Sequence, residues 1–404
     1  MINMMTEQRV EATRRDFIKS GAYVALAQTA PKLPRASSYK IGAYYFPNYH
    51  VDPRNEEVHG NGWTEWEVVK RGEPKFAGHQ QPKRPAWGFA DEASPSVFEK
   101  KIDAAHGAGI THFIFDWYWY EGKPFLQRAL DEGYLRAGNK SAVQFCLMWA
   151  NHDWYNLMPA RLDRQEQSFL YKGTYSASEF GRITDYIVEH YFGDPQYFQL
   201  DGSPYFSIYE LNNLVERMGG LEVATEAFKR FREKVRAAGL RDLHLNAVAW
   251  GLQSARDPKE LIHALKVQSV TSYTWIHHFE LQSFPTVDYA SALQAAPAFW
   301  KEAAEKFGVT YEPDVSMGWD PSPRTCQSDT FQHSDYPYTS ILVNNTPELF
   351  QQGLRKAKAY LDGLANGPRV LNINSWNEWT EGSYLEPDTA HGTAYLDSIQ
   401  SVFG

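Results

Sequence analysis

The chain has 404 residues, of which 43% are hydrophobic, and a formal net charge of −9. This length suits one large α/β barrel or two ordinary domains, and the apolar fraction is enough for a substantial core. The negative charge argues against nucleic acid as a partner, because proteins that bind it present a basic surface.

The first 38 residues have the features of an export signal. Thr13-Arg14-Arg15-Asp16-Phe17-Ile18-Lys19 resembles the twin-arginine motif, and an apolar stretch, Gly21 to Ala30, follows it. Ala25-Leu26-Ala27 fits a cleavage site, and the apolar stretch is too short to form a stable membrane span. We therefore predict a signal peptide and linker over 1–38, export to the periplasm or cell exterior, and a fold over 39–404.

From residue 39 onward, short apolar runs alternate with amphipathic segments. Helices are predicted after Ser94-Pro95, over 178–191, over Glu222–Ala238 and after Thr346-Pro347. Eight runs read as strands: Lys40–Phe46, Thr111–Trp117, Val143–Ala150, Pro204–Tyr209, Leu243–Trp250, Val267–Thr274, Pro313–Trp319 and Arg369–Ser375.

Eight alternations of strand and helix predict a parallel sheet that closes on itself, a single-domain (β/α)8 TIM barrel of the α/β class. An open doubly wound sheet is the competing architecture, but no GxGxxG follows a strand to support a dinucleotide site. No metal-ligand spacing such as CxxC or HExxH occurs, so neither a metal nor a cofactor is expected. A Cys146–Cys326 disulfide is left open.

The predicted strands end in aromatic and polar residues, and barrel active sites lie at the carboxyl ends of the strands. The chain holds 13 Trp, 24 Tyr and 23 Phe, which are either core residues or platforms for sugar rings. The joint pattern at the strand ends favours a cleft for an oligosaccharide or polysaccharide. Stacking is predicted for Trp63, Trp149, Trp250 and Trp376; hydroxyl binding for Tyr45, His50, Asn151, Asp153 and Asn377; and an orienting role for Asp116.

Two carboxylates just after strand eight fit the needs of glycoside hydrolysis, in which one group acts as acid and another as base or nucleophile. Glu378 and Glu381 stand three residues apart, so both face the cleft only if the chain turns between them. Glu65 and Glu210 are reserve candidates for the pair.

The chain resembles the glycoside hydrolase family 99 and WbsX-like group in an ordered series of motifs. Three of these lie in the first half of the fold: Ala43-Tyr44-Tyr45-Phe46-Pro47-Asn48-Tyr49-His50, Gly60-Asn61-Gly62-Trp63-Thr64-Glu65-Trp66 and Phe145-Cys146-Leu147-Met148-Trp149-Ala150-Asn151-His152-Asp153-Trp154. Three more follow: Asp201-Gly202-Ser203-Pro204-Tyr205, Asn374-Ser375-Trp376-Asn377-Glu378-Trp379-Thr380-Glu381-Gly382 and Leu385-Glu386-Pro387-Asp388.

This resemblance implies a barrel that acts on glycans, as the retaining endo-α-mannosidases of family 99 do. It implies that Glu378 deprotonates the 2-hydroxyl of the sugar, which attacks the anomeric carbon to give a 1,2-anhydro sugar. Glu381 would protonate the leaving oxygen and then activate water. The His152-Asp153 and Asp116-Trp117-Tyr118-Trp119 segments depart from the group's usual pattern, so an α-mannan substrate is not implied.

Three alternatives remain beside an α-glycan hydrolase. WbsX-like proteins are also described as glycosyltransferases, although this chain has no Asp-x-Asp triplet. A non-catalytic glycan-binding protein could use the same cleft. A metal-dependent hydrolase would need clustered His and Asp at the strand ends, for which His152, Asp153 and Asp116 are the candidates.

Overall fold

A computed structural model describes residues 39–163, 169–173 and 175–404. All of them lie in the compact unit Ser37–Gly404. The predicted export segment, residues 1–38, lies outside the described residues, so its role stays a prediction. The predicted strands and helices can be compared with the structure throughout the rest of the chain.

Eight parallel strand positions form the barrel, and each coincides with a predicted strand. Their bounds are β1 Tyr39–Tyr45, β2 His112–Tyr120, β3 Gln144–Trp149, β4 Ser203–Ile208, β5 His244–Val248, β6 Ser269–Thr271, β7 in two pieces, Thr310–Glu312 and Asp314–Ser316, and β8 Arg369–Asn374. The predicted (β/α)8 barrel is therefore confirmed.

The two pieces of β7 close the barrel. The first piece pairs with β6, the second pairs with β8, and β8 pairs with β1, all in parallel. Pro313 divides the pieces because it has no N–H to donate to a ladder, while its carbonyl still accepts from Asn372 N. The sequence placed the start of this strand at Pro313, and the structure begins it at Thr310.

The strands are buried on both faces, which explains why they read as continuous apolar runs. All nine residues of β2 are buried, one face towards the barrel interior and the other towards the helix layer. In β1, Tyr44 contacts Tyr273 from β6's end, whereas Tyr45 packs on Phe98 of the helix layer. Neighbouring residues of a strand therefore serve two different layers.

Ten α-helices occur among the described residues, and the predicted ones are confirmed with small shifts at their ends. Thr346 caps α9 through its side chain, and Gly109, at φ 90°, ends α3. The bounds are α1 Pro53–His59, α2 Trp66–Arg71, α3 Pro95–Ala108, α4 Ala177–Ile187, α5 Leu211–Met218, α6 Leu221–Ala237, α7 Pro258–Leu265, α8 Tyr289–Phe307, α9 Pro347–Asp362 and α10 Ala394–Phe403.

Short paired strands also occur in the loops between these elements. The pairs are Asn377–Glu378 with Ser383–Tyr384, Trp154–Tyr155 with Phe169–Tyr171, Thr286–Asp288 with Ile341–Val343, Lys123–Phe125 with β2, and Gln199–Leu200 with β4. Both cysteines are free thiols, so Cys146 and Cys326 form no disulfide. None of the helices in the described part of the chain has the length and apolar character needed to cross a membrane.

Candidate active site

The loop after β8 makes the turn that a catalytic carboxylate pair requires. Asn377–Glu378 pairs antiparallel with Ser383–Tyr384, and a single 3-10 turn, Trp379–Glu381, joins them. Gly382 ends this turn at φ 64°, where a Cβ atom would lie 2.6 Å from Asp320 Cβ. Only glycine fits this backbone, because a side chain would be both strained and obstructed. The turn brings Glu378 and Glu381 to the same arginine.

Arg324 joins the two glutamates and was not predicted from the sequence. Its Nη2 lies 3.1 Å from Glu378 Oε2, and its Nη1 lies 2.6 Å from Glu381 Oε1. Nε and Nη2 donate to Glu65 Oε1 at 3.2 and 2.9 Å, and Nη1 also donates to the Tyr336 hydroxyl. All five N–H groups of the guanidinium are therefore used within the site.

Arg324 comes from the loop after β7, in the 3-10 turn Ser322–Arg324. The position of this loop on the carboxyl side of a predicted strand was a usable signal, because barrel sites are built from such loops. The separation of 54 residues from Glu378 was the obstacle, since no sequence spacing reports a contact of that range. Tyr336 follows in the same connection and donates to Glu381 Oε1 at 2.7 Å.

Glu65 belongs to this site but is held by several partners. It accepts from Asn48 Nδ2 at 2.6 Å, from Arg324 and from the Thr380 hydroxyl, and its side chain is fully buried. The structure thus brings this reserve candidate together with Glu378 and Glu381. Its contacts give it the role of binding Arg324.

Asp116, in the middle of β2, faces Glu378 across Tyr273. The Tyr273 hydroxyl lies 3.0 Å from Asp116 Oδ2 and 3.4 Å from Glu378 Oε1. Burial raises the pKa of Asp116 well above its ordinary value, although the Tyr273 hydrogen bond opposes the shift. Burial therefore favours the protonated form of Asp116, next to the glutamate pair.

The burial and charges of the site favour the protonated form of Glu378. Burial is the largest cause that raises the pKa of Glu378 well above its ordinary value; the charge of Glu381 raises it further, and Arg324 lowers it. Burial opposes the charge of Arg324, but Tyr336, Glu65 and the glutamate pair raise the pKa of the guanidinium overall. One cation thus stands among several buried carboxyl groups, an arrangement that supplies acid and base at the same pH.

One predicted stacking residue lies at the surface beside this cluster. Trp250 is 42% exposed and stacks on His277, with ring centroids 4.7 Å apart. His277 in turn lies near Tyr209 and Tyr273. Burial lowers the pKa of His277 to about 3, so its ring is neutral at ordinary pH. A continuous series of rings therefore connects exposed Trp250 with the tyrosine that contacts Glu378.

Three further predicted residues lie at the ends of β3 and β4. Asn151 bonds to the backbone of Glu210 through both amide atoms, at 2.8 and 3.1 Å, and so fastens the two strand ends together. Asp153 forms an ion pair with Arg217 at 2.8 Å and accepts from Gly173 N. The Glu210 side chain accepts from Asn213. None of these contacts joins them to the glutamate pair.

Six predicted substrate-binding residues are buried, and two of them, Tyr45 and Trp149, pack against the helix layer, which corrects their predicted place in the cleft. Tyr45, His50, Trp149, Trp376 and Asn377 have no exposed surface, and Trp63 is 7% exposed and stacks on His59. For Tyr45 and Trp149 the physical reason is the alternation of side chains along a strand, which turns every second residue towards the helix layer.

The metal-dependent alternative finds no geometric support. Within the residues that the structure describes, no group of three or more His, Cys, Asp and Glu side chains is arranged to hold a metal ion. His152 directs its Nδ1 to the carbonyl of Asp153, and Asp153 is engaged by Arg217. Asp116 bonds to Tyr273.

Comparison with known proteins gives a family match over nearly the whole fold. The family model described as Glycosyltransferase WbsX matches residues 41–399. The uncharacterized protein WxcX of Xanthomonas campestris pv. campestris (strain B100) is 30% identical over 396 residues, covering 94% of this chain and 51% of that protein. The chain thus spans about half the length of the curated relatives it matches.

Solved structures share the barrel at low sequence identity. The GH99 endo-alpha-mannosidase from Bacteroides thetaiotaomicron aligns with a TM-score of 0.52 and 15% identity, over 89% of this chain and 95% of that one. A glycoside hydrolase-like protein aligns with a TM-score of 0.56 and 15% identity, over 90% and 94% of the two chains. These likenesses show a common fold. By its match over residues 41–399, this chain belongs to the WbsX family.

Proposed function

We propose that this chain is an exported glycoside hydrolase that cleaves α-linked glycans with retention of configuration, using Glu378 and Glu381. One observation carries the proposal: two buried glutamates, three residues apart, both contact one guanidinium at the carboxyl ends of the barrel strands. Two carboxyl groups held together in a buried site, with a proton favoured on one of them, are the chemical equipment of glycoside hydrolysis.

The reaction follows from the family 99 resemblance. Glu378 takes the proton of the sugar's 2-hydroxyl, and that oxygen attacks the anomeric carbon while the glycosidic bond breaks. Glu381 gives its proton to the departing oxygen, which leaves a 1,2-anhydro sugar and a free alcohol. Glu381 then takes a proton from water, which opens the epoxide at the anomeric carbon, and Glu378 returns the proton to the 2-oxygen. Two inversions at one carbon give overall retention.

The charges of the site bear on this division of roles. The raised pKa of Glu378 makes its carboxylate a stronger base towards the weakly acidic sugar hydroxyl, but it also favours a proton on Glu378 in the free protein. The assignment of Glu378 as base and Glu381 as acid therefore rests on the family 99 resemblance. Glu378 and Glu381 both contact Arg324, and the proposed mechanism requires a proton bound to Glu378 in the free protein to move to Glu381 when substrate binds. Arg324 carries a single positive charge, so it holds Glu378 and Glu381 close together but balances the negative charge of only one of them.

The test is release of new reducing ends by the purified chain from a panel of α-linked polysaccharides, with Glu381→Gln beside it. We expect the parent to be active and the variant to lose on the order of 10²–10⁴-fold, the usual contribution of a general acid. Activity that persists in full in Glu381→Gln would contradict the assignment. Absence of release with glycan binding intact in both proteins would instead indicate a binding protein.

A glycosyltransferase of polysaccharide synthesis is the second candidate, favoured by the description of the family model. Its donor would be a nucleotide sugar, and its product would be a longer glycan rather than a new reducing end. Incubation of the chain with radiolabelled nucleotide sugars and an acceptor oligosaccharide separates the two. Incorporation of label into the acceptor would favour the transferase over the hydrolase.

A further inference from the structure

A buried ionic cluster lies behind the loop that carries the glutamate pair. It consists of Lys101 on α3 and two carboxylates, Glu92 and Glu386, all at most 5% exposed. Lys101 Nζ lies 3.0 Å from Glu92 Oε1 and 2.8 Å from Glu386 Oε1. Burial lowers the pKa of Lys101, but the two carboxylates raise it to a net upward shift, so the ammonium remains charged.

Glu386 holds both tryptophans that flank Glu378. Its Oε1 accepts from Trp376 Nε1 at 2.9 Å, and its Oε2 accepts from Trp379 Nε1 at 2.7 Å. The two oxygens of one carboxylate thus fix two indoles on either side of the catalytic glutamate. Trp379 is further packed on Tyr384, with ring centroids 3.7 Å apart.

Glu92 holds the residue between them. Asn377 Nδ2 donates to Glu92 Oε1 at 2.7 Å and to the carbonyl of Phe46 at 2.8 Å, and Asn377 Oδ1 accepts from Phe46 N. The side chains of Trp376, Asn377 and Trp379 therefore all hydrogen-bond to this cluster, and Asn377 also bonds to Phe46, the residue after β1. Glu378 alone in this run points the other way, to Arg324.

We propose that the Lys101–Glu92–Glu386 cluster is the positioning device of the catalytic loop, with Lys101 as its central residue. None of the three touches the glutamate pair, so they act through Trp376, Asn377 and Trp379. One ammonium holds two carboxylates together, and those carboxylates fix the three loop side chains that flank Glu378. The inference rests on the proposed function only for its effect on rate, since the positioning itself is a property of the free protein.

The chain offers a matched control for this role. Lys100 precedes Lys101 on α3, and both line a cavity of about 130 Å³ whose other walls include Trp66, Trp87, Glu386 and Pro387. Lys100 lies over the ring of Trp87 and contacts neither carboxylate of the cluster. Lys101→Met and Lys100→Met therefore remove the same charge from neighbouring positions.

The first measurement needs no substrate. The indole N–H resonances of Trp376 and Trp379 are recorded by ¹H–¹⁵N NMR of the full chain and assigned with Trp→Phe variants. Lys101→Met and Glu386→Gln should both move these two resonances, and Lys100→Met should leave them in place. Unmoved resonances in a folded Glu386→Gln protein would overturn the proposal, because a glutamine cannot accept from both indoles through oxygen.

The second measurement uses a glycan that the parent cleaves. Glu386→Gln should lower kcat on the order of 10²-fold, the usual cost of a small misplacement of catalytic groups, with KM changed less than threefold. In Lys101→Ala, propylammonium should restore part of kcat by entering the enlarged cavity, and tetramethylammonium, which has no N–H, should not. An unchanged kcat in Glu386→Gln would refute the positioning role; an inactive parent with the NMR shifts present would refute the hydrolase and leave the positioning intact.

Discussion

Replacement of Arg324 by methionine should destabilise the protein in a way that depends on pH. The substitution keeps much of the side-chain volume and removes the one cation that contacts Glu65, Glu378 and Glu381. Loss of one partner from a buried ion pair costs about 3–5 kcal/mol, because the remaining charges are left without compensation. We expect a decrease of that size in the free energy of unfolding at pH 8.

The pH dependence has a definite sign. Arg324 lowers the pKa of Glu378, so its removal raises that pKa further above the value in the unfolded chain. A native state that binds more protons than the unfolded state loses stability as pH rises. The difference between parent and variant should therefore be smaller at pH 5 than at pH 8, because protonation of Glu378 at lower pH removes charge that Arg324 balances.

Denaturant unfolding at the two pH values, followed by circular dichroism, measures both effects. Arg232→Met is the matched control, because Arg232 is also buried but donates mainly to the carbonyls of Leu243 and Lys266. It should destabilise the protein with little change between pH 5 and pH 8. Equal losses for Arg324→Met at both pH values would refute the assignment of the guanidinium as the charge that balances the glutamates.

Three further outcomes are expected. Trp250→Ala should weaken the binding of a long glycan about tenfold through lost stacking and leave the binding of a short aryl glycoside unchanged. Phe89→Ala, which removes another exposed ring, should change the binding of neither ligand. Burial raises the pKa of Glu312 to about 7, so unfolding experiments should show about 3 kcal/mol of stability lost as pH rises from 4.5 to 7 and a flatter profile in Glu312→Gln. Ellman's reagent should modify half-buried Cys326 in the native protein and buried Cys146 only after unfolding.

The barrel was predictable because its strands are buried on both faces and separated by amphipathic helices. Each apolar run, such as Thr111–Trp117, indicated a strand, and each amphipathic pattern indicated a helix between two strands. The same continuous burial concealed which face each residue occupies. Tyr45 and Trp149 were assigned to the cleft, and the structure turns them to the helix layer, because a run with no polar alternation carries no information on face.

The residues of the candidate site could be predicted where they are close together in the sequence, and could not be predicted where they are far apart. Glu378 and Glu381 stood out by spacing, and the structure brings them together. Arg324 comes from another strand end, and Lys101 comes from a helix on the outer layer. Their contacts arise only from the closed barrel, so no local pattern in the sequence indicated them.

The most direct test of the proposed chemistry compares Glu378→Gln and Glu381→Gln on two substrates, a cleavable α-glycan and the matching dinitrophenyl glycoside, with azide present as a nucleophile. A dinitrophenol leaves without help from an acid, and azide needs no base. The account predicts that both variants fail on the glycan, and that only Glu381→Gln regains activity on the dinitrophenyl glycoside. Recovery by Glu378→Gln instead would reverse the two roles, and full activity of both variants on the glycan would contradict the site altogether.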